Sequence, residues 1–267
     1  MSQVSQDRFS VHAQPLTLAL ARWQDGPELF VSVQGEGPSV GRTSIFLRLS
    51  LCNLHCVWCD TDYTWNWKGT AFAHRNDRQT GYQKYDREQE IIHLTVPEVA
   101  ERLRLFGVRR LVVTGGEPLL QQEPLWHLFE LIYDPSQKWF IEVETNATIV
   151  PEPQLDSWVG QYNVSPKLAN SQNPEHLRLR TDVLRWFADC PKAFFKFVVE
   201  EPGDFDEIEQ LLRPYAIPED RVWIMPQGTT SAELDQRLSW IAEQCIGRGY
   251  AISDRLHVRL WGSRRGV

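Results

Sequence analysis

Three cysteines stand close together in Cys52-Asn-Leu-His-Cys56-Val-Trp-Cys59, while the other two of the chain's five, Cys190 and Cys245, lie far away. An odd total with three crowded into one run is not a disulfide framework. Thiolates are soft ligands for iron or zinc, and spacers of three and two residues let one loop wrap a single centre. A structural zinc site asks for a fourth Cys or His at comparable spacing. His55 lies inside the loop, where its neighbours make convergence with all three thiols awkward. Three thiolates on a four-iron cluster leave one iron open, and an open coordination position is where substrate chemistry happens. A second turn, Val113-Thr114-Gly115-Gly116-Glu117-Pro118, could bring backbone N–H and C=O groups against a ligand's carboxylate and ammonium. By itself such a turn is more often plain connection. Cys190 beside Pro191, and Cys245 on an apolar helix face, read as inert.

Both turns need strands to present them. Runs of β-branched and aromatic residues at 44–49, 111–114, 139–143, 162–164, 194–199 and 222–225 predict strands. Between them lie helical periods. Val96, Val99, Ala100 and Leu103 share a face behind a Thr95/Glu98 capping box, predicting a helix that ends near Gly107. Leu125, Leu128, Phe129 and Ile132 repeat the spacing after Pro118, and Phe205, Ile208 and Leu212 do so after Asp204. Leu234, Leu238, Ile241 and Cys245 follow a Thr230/Glu233 box. Such alternation implies parallel strands joined by right-handed helical crossovers. Six or so units are too few for a closed eight-fold barrel of ~250 residues, so an open or partial α/β barrel is expected. In α/β folds active sites gather at the C-terminal ends of strands, where both turns fall. Residues 65–89 break the rhythm, being polar and mixed in charge. They predict a long surface excursion, either a passive insertion or a lid over the cysteine loop.

With 267 residues, 42% hydrophobic and 24% charged, the chain can bury one sizeable core, and a single domain over 1–267 with an excursion at about 65–90 is expected. No apolar run nears the ~18 residues of a membrane span. The run Leu16 to Ala21 lacks the basic flank and cleavage pattern of a secretory signal, so a cytoplasmic location is expected. A net charge of -7 disfavours polyanions, and only Arg259, Arg264 and Arg265 form any basic cluster, which argues against nucleic acid as a partner. Eleven tryptophans imply core and rim packing rather than a function.

The cysteine spacing, with aromatic Trp58 before the last thiol, resembles the signature of the radical S-adenosylmethionine (SAM) superfamily, and the Gly-Gly-Glu-Pro turn resembles its motif for the methionyl amino group. Other segments appear in a specific order. They are Ser32-Val33-Gln34-Gly35-Glu36-Gly37-Pro38, Arg48, Asp60-Thr61-Asp62, Ser165-Pro166-Lys167, Met225-Pro226-Gln227-Gly228 and the ending His257 to Val267. Jointly they resemble the 7-carboxy-7-deazaguanine synthases, from about Phe30 to the last residue. The resemblance implies a partial (β/α)6-type radical SAM barrel. It also implies a carbon–nitrogen lyase that contracts the ring of 6-carboxy-5,6,7,8-tetrahydropterin to 7-carboxy-7-deazaguanine with loss of ammonia, in queuosine and other 7-deazapurine biosynthesis.

The implied cofactors are a 4Fe-4S cluster on Cys52, Cys56 and Cys59, SAM, and Mg2+ on the hard oxygen of Thr61. The matching positions for substrate are Val33, Gln34, Gly35, Glu36, Arg48, Thr114, His257 and Val267. Those for SAM are Trp58, Cys59, Asp60, Gly116, Glu144, Ser165, Pro166, Lys167, Met225, Pro226, Gln227 and Gly228, with Asn146 a further candidate contact beside Glu144. No side chain is required as a nucleophile. A flavodoxin or ferredoxin as electron donor and a homodimer are further implications. Some members carry a long insertion between the first two cysteines; this chain has none, and carries its polar stretch after Thr64 instead.

Without the resemblance, Gln34 to Gly37 would be merely a turn and Arg48 a solvated or salt-bridged strand residue. Two alternatives stay open. One is a glycyl-radical-enzyme activating enzyme, which acts on a protein and would lack the Gln-Gly-Glu-Gly segment. The other is a non-catalytic zinc or iron-sulfur binding module, which metal and sulfide analysis would distinguish.

Overall fold

Six parallel strands form where the apolar runs predict them. The structure, a computed structural model, describes residues 15–267; the first fourteen residues of the expected 1–267 domain lie outside them. The chain opens with strands β1 (Thr17–Trp23), β2 (Gly26–Pro27), β3 (Leu29–Val33) and β4 (Thr43–Leu49). Helix α1 (Arg87–Glu90), strand β5 (Ile91–Thr95) and helix α2 (Val96–Arg104) follow the cysteine loop and the excursion. Alternation then runs through β6 (Arg110–Gly115), α3 (Gln122–Ile132), β7 (Phe140–Thr145), α4 (Pro153–Asp156), β8 (Gln161–Val164), α5 (Glu175–Arg178) and α6 (Thr181–Asp189). It ends with β9 (Ala193–Val199), α7 (Asp204–Leu212), β10 (Val222–Pro226), α8 (Ser231–Arg248), β11 (Ala251–Ile252) and α9 (Leu256–Trp261).

The sheet order is β11-β10-β9-β8-β7-β6-β4-β1-β2, with β3 also on β4 and β5 on β1. Every pairing from β4 to β11 is parallel, whereas β1, β2, β3 and β5 pair antiparallel. The barrel is therefore partial and open. Both expected capping boxes are present, Thr95 with Glu98 and Thr230 with Glu233. Helix α2 stops at Arg104, short of Gly107. No helix of the described residues is long and apolar enough to cross a membrane.

Successive strand side chains point to opposite faces, and the parallel strands divide their residues by that rule. Ile45, Leu47, Leu111, Val113, Ile141, Val143, Phe195, Phe197 and Ile224 join the core beneath the helices. The alternate residues Arg48, Thr114, Glu144, Lys196 and Met225 line the barrel interior instead. Parallel sheets covered on both faces are normally apolar on both. A polar inner face, with Lys196 buried and Arg48, Thr114 and Glu144 partly buried, marks a space shaped for a ligand.

Candidate active site

The inner face encloses a cavity of about 250 Å³ at the C-terminal strand ends. Its wall includes every residue named above for cluster, magnesium, substrate or SAM except Pro166, which is buried between the lining residues Ser165 and Lys167. Glu144 lies within β7 rather than beyond it, because that strand continues to Thr145. Asn146 follows the strand and also lines the cavity.

Local backbone geometry delivers the thiols. Between β4 and Cys52, Leu51 takes a left-handed φ of 74°, unusual for a branched side chain, and turns the loop inward. Neighbouring strand ends hold it there. Gly116 N donates to Leu49 O at 3.1 Å, Glu117 N to Leu51 O at 2.8 Å and Leu51 N to Thr64 O at 3.0 Å. The glycine pair thus serves the protein first. A Cβ at Gly115 would stand 2.0 Å from Leu49 O and one at Gly116 1.9 Å from Leu51 O. The Gly116 N–H that the sequence offered to a ligand is committed to Leu49. Glu117 does not line the cavity. Its fully buried carboxylate accepts from Leu119 N at 2.9 Å, Thr145 Oγ1 at 2.9 Å and Asn146 N at 2.7 Å, fastening β7 to the turn. Burial raises its pKa, opposed by these donors.

Amide donors surround the sulfurs. Asn173 Nδ2 lies 3.3 Å from Cys56 Sγ, Asn146 Nδ2 3.9 Å from Cys52 Sγ, and the Thr61 hydroxyl 3.5 Å from Cys59 Sγ. Burial pushes the Cys52 thiol up and that of Cys59 up to about 12. Buried thiols of this kind ionise when a metal centre replaces the proton, and hydrogen bonds to sulfur then stabilise the thiolate. His55 is engaged elsewhere, its ring stacked on Phe72 with centroids 3.4 Å apart. Among the described residues no three His, Cys, Asp or Glu side chains gather as ligands of a single metal ion. The three thiols on one cavity wall fit a polynuclear cluster with three protein ligands.

Residues 65–90 pack against the cysteine loop, and Trp65 lines the cavity beside it. His74 Nε2 donates to Cys59 O at 2.9 Å, Arg75 N to Val57 O at 2.8 Å, and Trp65 is buried. Arg75 reaches Glu200 at 2.5 Å and Gln227 Oε1 at 3.2 Å, crossing to the far side of the barrel.

A network of charges lines the same cavity and reaches the cysteine loop at Asp60. Lys196 Nζ donates to Glu36 Oε2 at 2.6 Å and to Glu144 Oε2 at 2.8 Å. Arg255 Nε donates to Glu36 Oε1 at 3.0 Å, its NH1 to Gly228 O at 2.5 Å, and its NH2 pairs with Asp60. Burial opposes ionisation of Glu36, yet the Lys196 and Arg255 charges outweigh it and hold this carboxyl far below the usual range. Below them, Gln34 Nε2 bridges Glu142 at 2.6 Å and Glu144 at 3.1 Å. Sequence reasoning missed Lys196 and Arg255. The signal for Lys196 was available, since a lysine inside a buried parallel strand must be paired. Arg255 had none, because it stands in a loop.

A model of the radical SAM superfamily matches residues 48–165. The chain is 35% identical over 239 residues to the 7-carboxy-7-deazaguanine synthase of Pyrobaculum aerophilum, covering 90% of this chain and 95% of that one. It is also 35% identical over 264 residues to the protein of the same name from Halobacterium salinarum, covering 89% and 92%. The crystal structure of QueE from Escherichia coli shares the fold, with a TM-score of 0.61 over 90% of this chain and 95% of that one at 22% identity.

Proposed function

The chain belongs to the 7-carboxy-7-deazaguanine synthases of the radical SAM superfamily, and on that premise we propose that it converts 6-carboxy-5,6,7,8-tetrahydropterin to 7-carboxy-7-deazaguanine with loss of ammonia, as a cytoplasmic step of 7-deazapurine biosynthesis. The observation that carries this reading is one cavity lined by three thiols together with the ionised carboxylate of Glu36, Arg48 and His257. A zinc module needs no such polar lining beside its thiols, and an activating enzyme would need its cavity to admit a protein segment.

When bound, a 4Fe-4S cluster and SAM supply one-electron chemistry able to take and return a hydrogen atom at a substrate carbon. Cys52, Cys56 and Cys59 hold the cluster as thiolates, steadied by Asn146, Asn173 and Thr61. Trp58, Asp60, Gly116, Glu144, Ser165, Lys167 and the Met225 to Gly228 turn hold SAM alongside. A carboxylate has about four acceptor sites, so Glu36 keeps capacity after Lys196 and Arg255 and takes the N–H groups of the aminopyrimidine edge. Arg48 takes the substrate carboxylate, with a hydrogen bond from Thr114 and closure by His257 and Val267. The protein's contribution is orientation and exclusion of water. Thr61 supplies a hard oxygen for Mg2+ beside that carboxylate. A flavodoxin or ferredoxin is the electron donor and the enzyme is a homodimer, as in the family.

The test is turnover by anaerobically reconstituted protein with reductant, Mg2+, SAM and the carboxytetrahydropterin, read by mass spectrometry. The deazaguanine product and ammonia are expected; no product from protein with an intact cluster would overturn the reading. Thr61→Ala should abolish activation by Mg2+, and unchanged activation would remove Thr61 as its ligand.

A further inference from the structure

Glu28, between β2 and β3, has no role so far, yet it is 1% exposed and holds two guanidinium groups. Arg48 Nε donates to its Oε1 at 2.6 Å and Arg265 Nε to its Oε2 at 2.7 Å, with Tyr63 OH donating to Oε1 at 3.1 Å. One of these arginines is the residue read above as the carboxylate ligand. The other stands two positions before the C-terminal residue, Val267, which lines the same cavity.

The two arginines are used differently. Arg265 commits each of its three nitrogens: Nε to Glu28, NH1 to Glu90 at 3.1 Å and NH2 to Arg22 O. Its guanidinium carbon also lies 3.6 Å from the ring centre of Tyr63 and 5.0 Å from that of Trp23. Among the described residues Arg48 engages side-chain acceptors only through Nε, leaving its terminal nitrogens for the cavity. A free C-terminal tail ordinarily frays; this one is clamped by a planar group in a fitted slot. A buried carboxylate with one charged partner removed is costly, so neither arginine can leave Glu28 without disturbing the other's setting.

We propose that Glu28 is a positioning residue that couples the C-terminal tail to Arg48, so that one carboxylate sets both the aim of the substrate-binding guanidinium and the closure of the cavity by the tail. The proposal rests on the reading of Arg48 as the ligand for the substrate carboxylate. It makes Arg265 a remote determinant of pterin binding, acting through Glu28 and without touching the substrate.

Two measurements on the reconstituted protein test it. In the first, steady-state kinetics are run on Arg265→Ala with 6-carboxy-5,6,7,8-tetrahydropterin as the varied substrate. The KM for the pterin should rise about tenfold or more, with kcat within about threefold and the KM for SAM unchanged. Arg265→Lys should recover part of the loss. A merely structural role would instead lower the melting temperature and leave the pterin KM where it was, which would overturn the proposal. In the second, carboxypeptidase digestion followed by mass spectrometry should release Val267 slowly from wild type and fast from both Arg265→Ala and Glu28→Gln. Equal rates in all three would also overturn it. The digestion involves no substrate, so if wild type fails to turn the pterin over, the functional reading falls while the clamp is still decided. Should Glu28→Gln not fold, Arg265→Ala at the chain's end keeps both arms.

Discussion

Lys196 illustrates how much one side chain can decide. It is 5% exposed, and its ammonium separates two carboxylates, Glu36 and Glu144, that would otherwise face each other in a water-poor interior. Removing one partner of a buried charge network costs ~3–5 kcal/mol because the remaining charges are stranded. Lys196→Met should therefore destabilise the protein by an amount of that order, with Lys196→Arg milder. The pH dependence follows from the direction of the Glu36 shift. In wild type its carboxyl is held far below the ordinary value of ~4.3, so its contribution is fully present above that value and lost only as the pH falls through the lower folded value. Without Lys196, burial gains on the remaining Arg255 charge, the Glu36 value rises, and acid then relieves the stranded carboxylate by protonating it. The gap in melting temperature between wild type and Lys196→Met should accordingly narrow from pH 7.5 to pH 5. A constant or widening gap would mean that Arg255 alone keeps Glu36 ionised.

At the scale of elements, the strand ends were legible and their mutual fastening was not. Runs such as 194–199 and 222–225 announce strands through their β-branched and aromatic content, and the Thr95/Glu98 and Thr230/Glu233 boxes fix two helix starts. Strands β1 and β5 were missed because their pairing is antiparallel and non-local, Thr17 opposite Thr95, and no local period encodes a partner so far along the chain. Helix α6 was missed because its buried residues Val183, Leu184 and Phe187 make a short apolar stripe without a capping box. The glycine pair was recognised but given to the ligand, whereas its tightest neighbours are backbone atoms of the cysteine loop. That difference is measurable. Gly116→Ala must push Leu51 O away and with it Cys52, so it should cost about 1–3 kcal/mol and lower the iron and sulfide bound after reconstitution. Gly107→Ala, with nothing within 4 Å of the added carbon, serves as the control and should bind a full complement. Full iron and sulfide in Gly116→Ala would show that the turn does not support the thiol loop.

For the molecule as a whole, the open sheet leaves β11 and β3 as separate edge strands, and something other than strand pairing must join them. The joint lies between the loop after β3 and the segment from β11 into α9, more than two hundred residues later. Leu256 N donates to Gly35 O at 2.9 Å, Gly37 N to Ser253 Oγ at 2.8 Å, and Arg255 pairs with Glu36 at 3.0 Å. The C-terminal basic residues are likewise committed to acids, Arg259 to Asp235 at 2.6 Å and Asp254 at 2.9 Å, which leaves little of a basic patch there. Closure at this joint needs Gly35 to lie against His257, where an added Cβ would stand 2.1 Å from Nδ1. The added carbon would also stand 2.9 Å from Cγ and 3.0 Å from the backbone N of His257, so Gly35→Ala should displace the imidazole together with the start of α9 and loosen the joint. The thiol loop keeps its own fastenings to Leu49, Gly116 and Glu117 and meets the joint through the Asp60–Arg255 pair. The two ends of the cavity should therefore fail separately. In Gly35→Ala, iron and sulfide content and the slow cleavage of SAM without pterin should match wild type, while the KM for the pterin rises about tenfold. Parallel loss of iron in Gly35→Ala would mean that the barrel closes as one unit and that the joint supports the cluster as much as the substrate.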